Sequence, residues 1–302
     1  MTPAKQEETV TRKTISTSIA IVGCVLAGVG LVGCDGSGLD EAGEEFKAEL
    51  FTGTDTFTIG DHQVNVSCSG SPTSDGPIVL LLHGGGDDLT KLADFQKQIS
   101  KNSRVCSYDR LGAGKSDKPD GEQDYASVGK TLTGVIDTFA NGDPVVLVGH
   151  SMGGLIAARY APDNKDKVAG MVLLDATSPT AVADLKQRIP EDATGEAAEL
   201  RAQTLAIYGG ENPEKLVFTD GKVKSAGDIP VRVIQHGKQY LAAVPEYGPG
   251  LEDDWTAGQK DWLNVSSDSE LDTAKDSGHY IYVDEPDAAV EAVKDVASRA
   301  AD

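Results

Sequence analysis

Apolar positions between residues 56 and 300 repeat with two different periods, and the way these periods alternate predicts the architecture. Residues 56–60 and 63–68 read as short strands joined at Gly60-Asp61-His62, a hairpin. Pro77 then opens Ile78-Val79-Leu80-Leu81-Leu82, an apolar run without alternation, as expected of a strand buried on both faces. Leu92, Phe95 and Ile99 follow at helical spacing, then a strand over 104–108. Val128, Leu132, Val135, Ile136 and Phe139 mark a further helix, and 145–148 a central strand. Leu155, Ile156 and Tyr160 mark the next helix, and strands are predicted at 169–174, 231–234 and, more briefly, 271–274. A last helix runs from about Pro286, with Val290, Val293 and Val296 on one face. Eight strands alternating with amphipathic helices predict a mostly parallel sheet covered on both sides.

The rhythm breaks between residues 176 and 228, where no strand is convincing. Val182, Leu185 and Ile189 suggest one short helix; Ala198, Ala202 and Leu205 a second; 213–217 a third. An insertion at the carboxyl edge of a sheet, where ligands bind, reads as a small helical cap. A surface elaboration is the alternative, since long insertions cost little.

The first 33 residues read as an address. Arg12 and Lys13 precede an uncharged stretch over 19–33, shorter than the roughly 20 residues a spanning helix needs. It ends in Leu31-Val32-Gly33-Cys34, which resembles the lipobox of bacterial lipoproteins. The resemblance implies a signal peptide over 1–33, cleavage before Cys34 and a diacylglycerol on its thiol. An uncleaved short anchor is the alternative. Residues 34–54 then read as an acidic, flexible tether, with the folded domain over 55–302. The expected location is the extracytoplasmic face of the bacterial cell membrane. Cys24 leaves with the signal, so Cys68 and Cys106 remain beside the acylated Cys34. A pair in an exported chain reads as a disulfide, with two buried thiols as the alternative.

Charge narrows the partners. The 302 residues carry 27 Lys+Arg and 48 Asp+Glu, a formal net charge of −21. Such a chain is a poor ligand for nucleic-acid phosphates and is repelled by an anionic membrane, so membrane contact is expected only through the lipid. No H-E-x-x-H, C-x-x-C or calcium-loop spacing appears, so no metal or cofactor is expected. Gly112 to Ser116 ends like a phosphate-binding loop, but the leading glycine it needs is Asp109. A monomer acting on a small molecule is expected.

The candidate chemistry sits at strand ends. Gly149-His150-Ser151-Met152-Gly153 fits G-x-S-x-G between an apolar strand and a helix, where a strained turn exposes a serine hydroxyl. The bland alternative is a serine that only caps the helix. Here the sequence resembles the α/β-hydrolase family, from about residue 55 to 300. His83-Gly84-Gly85-Gly86 resembles the family's oxyanion loop, and 109–116 its D-R-x-G-x-G-x-S segment. Ser277-Gly278-His279-Tyr280 resembles its catalytic histidine loop, and Asp175 ends the sixth strand, one of two places where the family keeps its acid. The resemblance implies Ser151 as nucleophile, His279 as base, Asp175 as its carboxylate partner, and Gly85 and Met152 as oxyanion donors. It also places the second strand beside the fourth, so Cys68 and Cys106 can face each other.

Asp175 is preferred because the segment after the seventh strand, Gln235-His236-Gly237-Lys238-Gln239, holds no acid before Glu246. Asp253 and Asp254 come later, at an expected helix start; a helix-capping Asp175 is the alternative. His83 is expected to prop the oxyanion loop, and His236 has no assigned role. The reading is an exported, lipid-anchored serine hydrolase for a carboxylic ester or related acyl compound. An aminopeptidase or amidase, using Glu191, Asp192 or Glu196 to hold an amine, is one alternative. A non-catalytic envelope binding protein is the other.

Overall fold

The computed structural model describes residues 51–71 and 76–301. The expected signal peptide, Cys34 and most of the tether lie outside the described residues. The strands are β1 (Gly53–Ile59), β2 (His62–Ser69), β3 (Val79–Leu82), β4 (Val105–Tyr108), β5 (Val145–His150), β6 (Val168–Leu174), β7 (Pro230–His236) and β8 (Asp268–Ala274). They form one sheet in the order β1-β2-β4-β3-β5-β6-β7-β8. β1–β2 and β2–β4 pair antiparallel, and every other neighbour pairs parallel. The helices are α1 (Ala93–Ile99), α2 (Tyr125–Phe139), α3 (Met152–Tyr160), α4 (Ala181–Arg188), α5 (Gly195–Tyr208), α6 (Gly248–Asp261), α7 (Ile281–Asp284) and α8 (Pro286–Arg299).

Unbroken apolar runs follow from two cores sharing one sheet. Successive strand residues point to opposite faces. Val145 and Leu147 of β5 therefore join the core with α2 and α3, whereas Val146 and Val148 join the core with α1 and α8. Met171 and Leu173 of β6 divide from Val172 and Leu174 in the same way. Burying each such side chain contributes about 1.5–3 kcal/mol, so a polar residue on either face is costly. Local signals set the ends: α2 starts at a capping box, with Asp124 accepting from Ser127 N–H at 2.8 Å and Ser127 Oγ accepting from Asp124 N–H at 2.9 Å. Cys68 and Cys106 face each other in the β2–β4 register, Cα–Cα 4.1 Å, and are joined by a disulfide.

Two expectations need correction. Residues 213–217 form no helix; Leu216 is fully buried and bridges Gln123, while Val217 bridges Gly209. Asn212 fastens this turn, accepting from Leu216 N–H and donating to the carbonyls of Leu216 and Ile207. Tertiary contacts thus outweigh helical spacing there. β8 is also longer than 271–274. Its acidic positions face solvent, where Glu270 and Asp272 pair with Arg232, so apolar spacing could not reveal it.

Candidate active site

β5 ends at His150, and Ser151 adopts φ 51° and ψ −120°, a strained conformation for a residue with a side chain. The neighbourhood enforces it. Ser151 N–H donates to Leu174 O at 3.0 Å, and Ser151 O accepts from Thr177 N–H at 3.1 Å, tying the turn to the end of β6. A Cβ on Gly149 would collide with the Gly153 carbonyl, and one on Gly153 with the Leu82 carbonyl. Only glycine fits at either flank.

Asp175 follows β6, also at positive φ (45°), and is fully buried. Its N–H donates to Ile234 O at 2.7 Å, which aims the carboxylate past the end of β7. His279 Nδ1 lies 2.7 Å from Asp175 Oδ2. Burial pushes the Asp175 carboxyl up, but the hydrogen bonds from His236 and His279 outweigh it and hold the group at about 2. An ionised carboxylate accepts the hydrogen bond from Nδ1–H, which keeps the proton there and leaves the lone pair of His279 on Nε2.

The histidine loop is held from two sides. Gly278 N–H donates to Asp284 Oδ2 at 2.8 Å, and His150 Nε2 donates to the His279 carbonyl at 2.9 Å. Burial first, and His279 second, push His150 down to about 3, so it stays neutral. The residue beside Ser151 thereby fixes the backbone of His279.

The glycine loop after β3 is anchored by Arg110. Its guanidinium donates to His83 O at 2.6 Å and Gly84 O at 3.0 Å, and to Glu214 at 2.7 and 2.9 Å. Arg110 and Glu214 are both buried, with side chains 1% and 4% exposed. His83 is buried as well, its Nδ1 2.8 Å from Gly84 O and its Nε2 accepting from Arg110 N–H. Asp109 accepts from Leu89 N–H, Lys115 N–H and Asn65 Nδ2, which folds the segment over 109–116 beneath the loop. Gly85 then packs on Met152: a Cβ there would lie 3.6 Å from Met152 Sδ. Met152 opens α3, so its N–H belongs to a first turn that has no intrahelical acceptors.

Residues 77–268 match the family described as alpha/beta hydrolase fold. The chain is an α/β-hydrolase. Protein phosphatase methylesterase 1 of Bos taurus is 34% identical over 149 residues, 47% of this chain and 36% of that protein. The chain therefore spans little more than a third of that relative. An uncharacterised protein of Bacillus subtilis (strain 168) is 26% identical over 225 residues, 74% of this chain and 84% of its own. The enol-lactonase from Burkholderia xenovorans LB400 superposes with a TM-score of 0.58 at 20% identity, covering 81% of this chain and 100% of that one. That likeness concerns the fold.

This α/β-hydrolase also gathers residues that sequence reasoning missed. His236, at the end of β7, places Nδ1 2.8 Å from Asp175 Oδ1 and Nε2 2.8 Å from Glu252 Oε2. Trp255 Nε1 donates to Asp175 Oδ1 at 2.8 Å, and its ring meets His279 edge-on at 5.6 Å. Glu252 and Trp255 are three apart on α6 and so share a face, the one signal that could have paired them. The rival acids are occupied elsewhere or exposed. Asp254 forms a two-pronged pair with Arg188 at 2.7 Å, and Asp253 and Glu246 are exposed. Beside Trp255, an apolar cavity of about 130 Å³ opens beneath the cap, lined by Leu185, Leu200, Tyr208, Leu241 and Leu251. Glu191, Asp192 and Glu196 are exposed on the cap and do not line it.

Proposed function

We propose that the protein is an exported, lipid-anchored serine hydrolase that cleaves a carboxylic ester or related acyl compound through an acyl-enzyme on Ser151. The observation that carries this reading is the 2.7 Å contact between His279 Nδ1 and the buried Asp175 carboxylate, at the sheet edge that holds Ser151 on a strained turn. A serine hydroxyl is a poor nucleophile until a base takes its proton. In this reading His279 Nε2 takes that proton as Ser151 Oγ bonds the acyl carbon. The carbonyl electron pair moves onto oxygen, where the N–H groups of Gly85 and Met152 meet it, each contributing about 3 kcal/mol in comparable sites. Collapse of the tetrahedral species expels the alkoxide, which receives the proton from His279. Water then attacks the acyl-enzyme by the same route and releases the acid.

Two similar proteins carry the names methylesterase and enol-lactonase, in keeping with ester chemistry. The cavity beside Trp255 is lined mostly by apolar side chains and offers a place for an apolar acyl or alkyl group. An amidase would want a free acid to hold an amine. Both carboxylates lining the cavity are engaged: Asp184 accepts from the hydroxyls of Ser178 and Thr180, and Asp254 pairs with Arg188. Attachment through Cys34 rests on the lipobox resemblance; Cys34→Ala should move the protein from the membrane to the soluble fraction.

A panel of nitrophenyl esters with acyl chains of two to sixteen carbons tests the function. Turnover is expected on members of the panel and none with Ser151→Ala. A Ser151→Ala variant that keeps turnover would overturn the reading.

A further inference from the structure

We propose that Glu252 and His236 extend the acid of this site: a buried carboxylate–imidazolium–carboxylate relay, Glu252–His236–Asp175, keeps one net negative charge behind His279 and aims Asp175 at it. The inference rests on the reading of Ser151, His279 and Asp175 given above. Both residues would act through Asp175 and so are positioning residues.

Proton counting carries the argument. Both ring nitrogens of His236 face carboxylate oxygens, Asp175 on one side and Glu252 on the other, each at 2.8 Å. Ionised carboxylates only accept hydrogen bonds, so two such contacts require two N–H groups on the ring, which is the imidazolium. The side chains of His236, Asp175 and Glu252 are 4%, 0% and 5% exposed, so water does not compete for these bonds. Burial opposes the charge on His236, but its bonds to both carboxylates outweigh that and raise its affinity for the proton.

A cation against Asp175 would, by itself, cancel the charge that His279 needs when it becomes an imidazolium. Glu252 removes that penalty. With two carboxylates around one imidazolium, the unit presents a single net negative charge to His279, as a lone Asp would. The relay also fixes geometry. His236 N–H donates to Asp175 Oδ1 at 3.2 Å, so backbone and ring of one residue clamp the same oxygen. Glu252 Oε1 accepts from Leu241 N–H at 2.6 Å and Ala242 N–H at 3.2 Å. These bonds hold the turn that carries Tyr240, whose hydroxyl lies 3.3 Å from His279 Nδ1. The titratable groups facing His236 are thus Asp175 from the end of β6, Glu252 from α6 and Tyr240 from the turn after β7, with His279 on the far side of Asp175.

Nitrogen NMR of the histidine-labelled mature chain tests the relay, with the His236 signals assigned by their loss in His236→Asn. In a scan from pH 5 to 9, both ring nitrogens of wild-type His236 are expected to stay protonated above the ordinary imidazole range. In Glu252→Gln the titration midpoint should fall into that range. The rate of fluorophosphonate labelling should then drop about tenfold at pH 6 and return to within twofold of wild type at pH 9. A neutral His236 in the wild type across the window overturns the proposal, and this measurement needs no variant to fold. Unchanged labelling of Glu252→Gln at pH 6 overturns it as well. A wild-type chain that never labels, with His236 doubly protonated, would instead overturn the hydrolase reading and leave the relay as a buried charge network.

Discussion

Asp175→Asn preserves side-chain volume and removes one charge at the point where the site is most tightly determined. The buried carboxylate accepts from four donors: the rings of His279 and His236, the Trp255 indole and the His236 backbone. An amide offers a single acceptor oxygen and turns its other edge into a donor. With that edge toward His279, Nδ1 must accept, and the ring proton moves to Nε2, the atom proposed as base. With the edge toward His236, two N–H groups oppose each other and the relay opens. Loss of the acid in comparable triads lowers turnover about 10⁴-fold, roughly 5.5 kcal/mol at 1.36 kcal/mol per decade. Ester turnover by Asp175→Asn should therefore fall about 10³–10⁴-fold in kcat, with far-UV circular dichroism unchanged. Asp253→Asn and Asp254→Asn are the controls and should lose far less, since Asp253 is exposed and Asp254, though it lines the cavity, pairs with Arg188. Near-normal turnover by Asp175→Asn, or an equal loss in either control, would refute the assignment.

Glu214→Ala leaves the Arg110 guanidinium buried without its ion partner, so urea unfolding should report a loss of about 3–5 kcal/mol, with slower ester turnover as the glycine loop loosens. Cys68 and Cys106 are 38 residues apart, a closure worth about 4 kcal/mol in the chain-entropy model, so the reduced protein should unfold at clearly lower urea. Thiol titration of the unreduced, unfolded protein should find neither cysteine reactive. Acid unfolding should report Asp175, whose carboxyl is held at about 2 against an ordinary value of 3.8. Its contribution of roughly 2 kcal/mol is complete above about pH 4 and disappears as pH falls toward 2. Asp175→Asn should flatten that part of the profile, and an unchanged slope would contradict it.

What the sequence revealed depended on how locally each feature is encoded. β3, β5 and β6 were legible because a strand between two cores is apolar at every position, as Val145 to Val148 demonstrate. β8 was underestimated because it sits at the sheet edge with its acids in solvent, and the four-residue α7 is too short to establish a period. Asp175 was the choice between the two acid positions that the family resemblance implies, since no acid closely follows β7. The role of His236 could not. It depends on Glu252, which reaches it only because α6 folds back over the end of β7, a tertiary relation without a spacing signature. Arg110 was visible as part of a segment, but its hold on the glycine loop depends on Glu214, 104 residues away.

Reaction with a fluorophosphonate, followed by peptide mapping, reads the activation of Ser151 itself, because only an activated oxygen displaces the fluoride. One adduct per chain is expected, on Ser151. It should be absent in Ser151→Ala, and its formation at least 10²-fold slower in His279→Ala, the range general-base catalysis contributes. Wild-type protein that forms no adduct, or forms it on another residue, would rule out Ser151 as the nucleophile.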